Sequence, residues 1–381
     1  MIKLSLKKNL LYLLAFCIAY YTRKILVIII EKVFNFHDPN IFLYLMTLGE
    51  ILGGSAVYFY QLNHTKKNKE IKLFRIEIIQ NKKYTNSDGF FKKLLLIFFA
   101  SFFDIYEFIL IELYVPKIAN ISPTLDLRLG CITTISSALI CTYALRFKNG
   151  KHHNFSIISL SICLLITFIL EIIFKANDIS FGIFIFELFL VILYLITLAL
   201  ADCIERYLAY YDFLNPFSIL TIEGVFGFIL TLLFSINSNP LNQIIKQYDE
   251  NGLRNFIFLI VLLILYLLLS ASSNAYRIYC NVIYSPMARS ITDYLMNPFF
   301  NIYFFIAEND FQQNYIYFII CEIISIFMDF FCFIYNEYII FFCFDLDHDT
   351  SYAINQREIH REMHPSTFSL DIDEEESINN L

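Results

Sequence analysis

Apolar runs of about 20 residues recur along this chain, from near residue 10 to near residue 335. Hydrophobic residues make up 58% of its 381 positions and charged residues only 17%. Because a soluble domain carries about a quarter charged residues, these values indicate a lipid environment. A backbone in lipid must satisfy its own hydrogen bonds, and the runs lack the strict alternation of a membrane strand. The sequence therefore predicts an all-α integral membrane protein.

We predict about ten transmembrane helices, each of the length that a bilayer needs. The first is the least defined, since Lys3, Lys7 and Lys8 before an apolar run also fit a signal peptide. No small-residue cleavage site follows, so we expect an uncleaved helix. The predicted spans are 10–30, 40–60, 93–115, 123–145, 155–175, 181–204, 216–236, 255–280, 288–307 and 315–335.

Lysine and arginine are concentrated in alternate connections. The loop 62–91 is strongly basic, and Arg146, Lys148 and Lys151 follow the fourth span. Since cytosolic loops carry the excess of cations, both termini and the even-numbered connections are predicted to be cytosolic. The polar, acidic tail, 345–381, is also assigned to the cytosol and is expected to be disordered.

Two spans in corresponding places carry a glutamate beside glycines. They hold five of the 10 glycines in the chain, which is a concentration rather than a scatter. Small residues let helices approach closely, so packing is one explanation and function a second. The residues are Gly49, Glu50, Gly53 and Gly54 in the second span and Glu223, Gly224 and Gly227 in the seventh.

An arginine follows a Ser-Pro step two spans after each of these helices, at Arg128 and Arg289. The same order of features thus occurs once in each half of the chain. With an odd number of spans, the two halves insert in opposite senses, as in carriers with inverted repeats. We therefore predict two inverted five-helix repeats, 1–175 and 176–344.

Arg128 and Arg289 are the candidates for binding an anionic group of a substrate. A charge within an apolar span is costly, and arginine offers a forked set of donors that suits phosphate or carboxylate. The alternative for Arg289 is an ion pair with Asp293, four residues on. Arg128 has Asp126 or Glu50 as alternative partners.

Acidic residues within the spans are candidates for coupling or gating. Glu50 and Glu223 hold equivalent positions and can each take up a proton or act as a counter-ion. Asp104 and Glu107 lie three residues apart on one helix face, where they could share a proton. A polar seam between helices is the alternative for that pair. Asp293 belongs to the same group of candidates.

Asn274, Tyr276 and Arg277 close the eighth span. We expect them to line the cytosolic mouth of the solute path, with Asn274 and Tyr276 in contact with substrate.

The sequence indicates no cofactor, metal site or enzyme activity. None of the nine cysteines forms a C-x-x-C pair, and the histidines lack a zinc spacing. Nucleophile-elbow and metalloprotease motifs are also missing from the sequence.

Several of these residues resemble motifs of the drug/metabolite transporter superfamily, in its solute carrier 35 (nucleotide-sugar-transporter-like) section and F branch. Leu129 departs from the pattern, because it separates Arg128 from the glycine that follows in the family. The motif residues are Leu48-Gly49-Glu50, Asp104, Leu127-Arg128 with Gly130, Glu223 to Gly227, Tyr284 to Asp293, and Tyr335-Asn336-Glu337.

The resemblance implies an alternating-access carrier in an endomembrane (Golgi, ER or endolysosomal). Its substrate would be a small organic metabolite, such as a nucleotide sugar or another nucleotide-like anion. Its partners would be that small-molecule substrate and the lipid bilayer, with no nucleic acid; a homodimer is left open. Acids outnumber bases in the spans, so a proton-coupled carrier of a cationic or zwitterionic metabolite is an alternative. A non-transporting membrane interaction protein that retains the fold is another.

If the two arginines bind substrate, Arg128→Ala and Arg289→Ala should each abolish uptake by the purified protein in liposomes while the protein still folds. The measurement is saturable uptake of a metabolite. Equal transport by both variants and the unmodified protein would remove these residues from the site.

Overall fold

The computed structural model describes most of the predicted spans. It describes the chain in separate segments. These segments are 6–34, 36, 38–67, 89–108, 129–147, 149–175, 181–212, 214–235, 240–283, 298, 302, 315–340, 342, 346–350, 353–354 and 357.

Within those segments the chain forms nine helices and no strand, which confirms the all-α prediction. The helices are α1 (Leu6–Phe34), α2 (Pro39–Lys67), α3 (Phe90–Phe108), α4 (Cys131–Tyr143), α5 (Lys151–Lys175), α6 (Phe181–Tyr210), α7 (Pro216–Phe234), α8 (Pro240–Ile283) and α9 (Tyr315–Tyr335).

Seven of the described helices are long and apolar enough to cross a membrane, which is typical of a multi-pass membrane protein. They are α1, α2, α5, α6, α7, α8 and α9. The helices α3 and α4 correspond to the third and fourth predicted spans, although α4 has only 13 residues. Apart from positions 298 and 302, the ninth predicted span, 288–307, lies outside the described residues. The total of ten therefore stays a prediction.

The helices α2 and α7 begin with the same capping device. Proline occupies the first helical position in each, where its missing N–H costs no hydrogen bond. Before it, the Asp38 carboxylate accepts a hydrogen bond from the Asn40 N–H at 3.0 Å. The Asn215 side chain likewise accepts from the Phe217 N–H at 2.9 Å. These polar caps satisfy backbone donors that a helix start leaves open.

The centre of the bundle is formed by α2, which packs against both α7 and α8. Around it, α1 packs on α8, and α3 packs on both α6 and α7. A second group joins α5 to α9 and α4 to α6. Residues far apart in sequence thus meet at the crossing of α2, α7 and α8.

Glycines make the close approach at that crossing feasible. A Cβ on Gly49 would lie 2.7 Å from the Ser270 Cβ of α8, and one on Gly53 would collide with the Ala271 backbone. A Cβ on Gly224 would lie 2.8 Å from both the Glu50 Cβ and the Ile51 N of α2. Since real Cβ atoms do not approach so closely, these helices meet at a distance that only glycine permits.

Regular helical geometry is interrupted within α8. The helix α8 is broken at Gly252, whose φ of 74° lies in the left-handed region that favours glycine.

In α1, the cations of Arg23 and Lys24 lie over the Tyr20 ring, 5.2 and 4.9 Å from its centroid. An aromatic face thus stabilises both charges within an apolar helix.

We predict that Gly224→Ala lowers the stability of the protein by about 1–3 kcal/mol, because the added methyl must separate α7 from α2. The matched control is Gly182→Ala in α6, where a Cβ meets nothing within 4 Å. Thermal unfolding in detergent should show a lower midpoint for the first variant and an unchanged or slightly higher one for the second. An equal midpoint for both would show that the α2–α7 contact tolerates a side chain.

Candidate functional site

Arg277 of α8 is a buried arginine at the centre of the helix crossing. Its side chain is only 3% exposed, and carboxyl groups from four other helices surround it. The closest is Glu205 of α6, whose Oε1 lies 2.9 Å from Nη2. The others are Asp104 of α3 (3.6 Å), Glu223 of α7 (3.7 Å), Glu50 of α2 (3.8 Å) and Asp202 of α6 (3.8 Å). We call these five carboxyl groups and Arg277 the Arg277 cluster.

One face of α8 presents two amides and the Arg277 guanidinium to this cluster. Asn274, Arg277 and Asn281 are three and four residues apart, which aligns them on a helix. The Asn274 Nδ2 donates to Glu50 Oε1 at 3.3 Å. The Asn281 Nδ2 donates to Glu205 Oε2 at 2.6 Å. The amides thus hold the carboxyl groups on either side of the arginine.

Arg206 anchors α6 against the end of α8. Its guanidinium donates to the Asn281 carbonyl at 3.0 Å and also to the Val282 carbonyl. These carbonyls belong to the last turn of α8, where the helix leaves acceptors open. The anchor fixes Asp202 and Glu205, which are carried by the same end of α6, next to Arg277.

The cluster contains far more acid than base. Full ionisation of its five carboxyl groups would leave four negative charges uncompensated by the single guanidinium. Every acidic member is at most 8% exposed, so water cannot offset this charge. Burying one unpaired ion costs several kcal/mol. The described residues thus place a buried excess of acidic groups around one guanidinium.

Hydrogen bonding within the cluster is incomplete. Both carboxyl oxygens of Glu223 lack a hydrogen-bond partner within the described part of the chain. The guanidinium nitrogens of Arg277 also lack well-aligned hydrogen bonds there, despite the 2.9 Å contact with Glu205. Charge attraction, rather than directed hydrogen bonding, thus positions the arginine. Oxygen acceptors remain available to a proton or to a bound ammonium group.

The structure brings together five of the residues that the sequence analysis named: Glu50, Asp104, Glu223, Asn274 and Arg277. Tyr276 instead faces α1, where its ring lies 6.5 Å from that of Tyr12. Arg128, Arg289 and Asp293 lie outside the described residues, as does the side chain of Glu107 on α3.

The proposed glycines lie beside the cluster. Gly49 and Gly224 flank Glu50, since the first precedes it in α2 and the second contacts its Cβ from α7. A Cβ on Gly227 would lie 3.0 Å from Thr47 and 3.2 Å from Ser101, which links α7 to both α2 and α3. Ser101 also donates to the Glu223 carbonyl at 2.9 Å.

Sequence reasoning missed Asp202, Glu205 and Asn281, and it placed Arg277 at the cytosolic mouth of the solute path. A signal was present, because Asp202 and Glu205 are three residues apart at the end of an apolar span. Asn274, Arg277 and Asn281 repeat that helical spacing on α8. The acidic face of α6 and the face of α8 that carries an arginine would have suggested that these two helices contact each other.

Comparison of the sequence with protein-family models and with curated proteins gives no match.

We predict that Arg277→Met destabilises the protein by about 3–5 kcal/mol at neutral pH, because it leaves buried carboxylates without their cation. Acidification should restore part of this loss, since protonation neutralises those carboxylates. The measurement is the unfolding midpoint in detergent at pH 7.5 and at pH 5.

Arg254→Met is the matched control, because Arg254 is an exposed cation on the same helix. Its unfolding midpoint should change little at either pH. If Arg277→Met unfolds like this control, the cluster is not held by its arginine.

Proposed function

We propose that this protein is a secondary carrier that moves a cationic or zwitterionic metabolite in a process coupled to protons, with the Arg277 cluster as the coupling and binding centre. The observation that carries the proposal is the excess of buried carboxyl groups around one guanidinium. Ionisable residues within membrane spans typically mark substrate or proton paths.

The pattern of helix contacts supports a carrier built from two repeats. In this proposal α1 corresponds to α6, α2 to α7, α3 to α8, α4 to the undescribed ninth span and α5 to α9. The contact between α2 and α8 then has a counterpart in the contact between α7 and α3. The contact of α1 with α8 likewise corresponds to that of α6 with α3, and all four contacts occur. The pairs α2–α7 and α5–α9 each relate a helix to its own counterpart, and both occur. Such a pattern is expected for a two-fold axis between repeats.

The cluster joins the two proposed halves. Glu50 and Asp104 come from the first half, and Arg277 comes from the second, with Asp202, Glu205 and Glu223. A proton or cation that enters therefore changes the electrostatic attraction between the halves. In an alternating-access carrier, that change would bias the equilibrium between inward-open and outward-open states.

The charge of the cluster favours a positively charged solute group. Arg277 is already surrounded by carboxyl groups, so it has no capacity for an anionic substrate. The unpaired oxygens of Glu223 are instead suitable acceptors for an ammonium group. A nucleotide-like anion depends on Arg128 and Arg289, and it stays a prediction of the sequence resemblance.

A purely structural role gives a weaker account of the cluster. Replacing buried ionic groups by apolar residues of similar volume is often neutral or stabilising. A scaffold would thus gain nothing from five buried carboxyl groups, whereas a carrier needs groups that exchange protons and bind charge.

The test is uptake by the full chain in liposomes with an imposed pH gradient. The probes are putrescine, choline and histidine, with UDP-glucose as the anionic comparator. We expect saturable uptake of at least one of the first three that changes with the direction of the gradient. Uptake of UDP-glucose alone would contradict the cation proposal and favour the nucleotide-sugar alternative.

We further predict that Glu50→Gln and Glu223→Gln each reduce this uptake about tenfold or more, since a hydrogen bond to a charged group contributes about 1.5–3 kcal/mol. Glu50→Gln should also remove the pH dependence. Glu31→Gln is the control, because Glu31 is a carboxylate on α1 outside the cluster. An unchanged pH profile for Glu50→Gln would exclude that residue from coupling.

A further inference from the structure

Two adjacent histidines at the start of α5 meet a glutamate that follows the end of α9. His152, His153 and Glu337 each offer one ligand atom, and these atoms all lie within 4.8 Å of one another. The distance from His152 Nε2 to Glu337 Oε1 is 3.3 Å. We propose that these three residues form a binding site for a divalent transition metal, with zinc as the best fit.

The distances agree with the size of a zinc site. Nitrogen and carboxylate ligands bind zinc at about 2.0–2.2 Å, so two ligands of a tetrahedral ion lie about 3.3–3.6 Å apart. The contact between His152 and Glu337 is already within this range.

His152 is buried, and its 3.3 Å contact with Glu337 is not a well-aligned hydrogen bond. It is only 2% exposed, and neither ring nitrogen has a hydrogen bond within the described segments. Buried polar groups are normally paired, so such a group needs an explanation. A metal ion bound between Nε2 and Glu337 would supply a directed interaction for this buried imidazole.

The backbone on both sides holds the ligands in place. Glu337 has a φ of 58°, which is uncommon for a residue other than glycine, and its carboxylate lies 3.3 Å from His152 Nε2 of α5. On the other side, a Cβ on Gly150 would lie 3.0 Å from His152 Nδ1 and 2.9 Å from the Asp349 Cβ. Glycine at this position thus lets the histidine and the segment 346–350 pack together.

The ligand chemistry favours zinc over magnesium or calcium. Imidazole nitrogen suits zinc, copper and nickel, whereas magnesium and calcium bind mainly oxygen. Three protein ligands leave one position of a tetrahedral ion open. A metal here would clamp the start of α5 to the end of α9, two helices that already pack along their length.

The test is zinc binding by the purified full chain after removal of metals with a chelator. We expect one zinc ion per chain by calorimetry and a higher unfolding midpoint when zinc is added. His153→Gln and Glu337→Gln should each weaken binding at least about tenfold, since loss of even an outer partner of a metal ligand costs about 10–100-fold. Glu337 is partly exposed, so its variant should fold even if a histidine variant does not.

His348→Gln is the matched control, because His348 is an exposed histidine in a neighbouring segment and not part of the proposed site. It should bind zinc as the unmodified protein does. Cobalt is a second probe: its visible spectrum should be that of a tetrahedral ion without the near-ultraviolet band of a thiolate ligand. Undetectable zinc binding, full affinity in Glu337→Gln, or a thiolate band, which would assign the metal to a cysteine, would each overturn the proposal.

Discussion

The attraction between the Arg277 guanidinium and carboxyl groups on four other helices is the interaction on which the centre of this bundle depends. Five helices contribute to it, and each contributes a charge that it could not bury alone. The glycines of α2 and α7 matter for the same reason, because they bring the backbones close enough for short acidic side chains to reach one arginine. Close packing and charge pairing are therefore two aspects of one arrangement.

Much of the fold could be predicted from the sequence, because a long apolar run indicates that a membrane helix is present there. The first eight predicted spans and the tenth each overlap a described helix, and seven of these helices are long and apolar enough to cross a membrane. The all-α class follows from the same runs. The boundaries were less predictable. The helix α8 begins at Pro240, well before the predicted start at residue 255, because a polar helical segment precedes the break at Gly252. Hydropathy carries no signal for a helix that extends beyond the apolar region.

The site was predictable only in part. Glu50, Asp104 and Glu223 stand out because a carboxylate in an apolar run is costly wherever it lies. The spacing of Asn274, Arg277 and Asn281 indicated a polar face on α8, but the helices that this face meets depend on helix order and rotation in three dimensions. Asp202 and Glu205 were missed for a related reason: they lie at the end of α6, where charged residues usually face water. The glutamate of the proposed metal site was hidden by its distance in sequence from the histidines.

The imbalance of the cluster suggests how protons and a solute would be coupled in the proposed carrier. A proton on Glu223 and an ammonium group beside it would each compensate the same negative charge, so the two would compete for one site. Occupation by either would reduce the repulsion among the carboxyl groups and leave the arginine to hold the helices together. An empty, ionised cluster would be the least stable state, because its excess charge is buried. A carrier with this property would change between its two open states mainly when loaded with a proton or with substrate. Coupling would then follow from charge balance alone, without a separate site for each species.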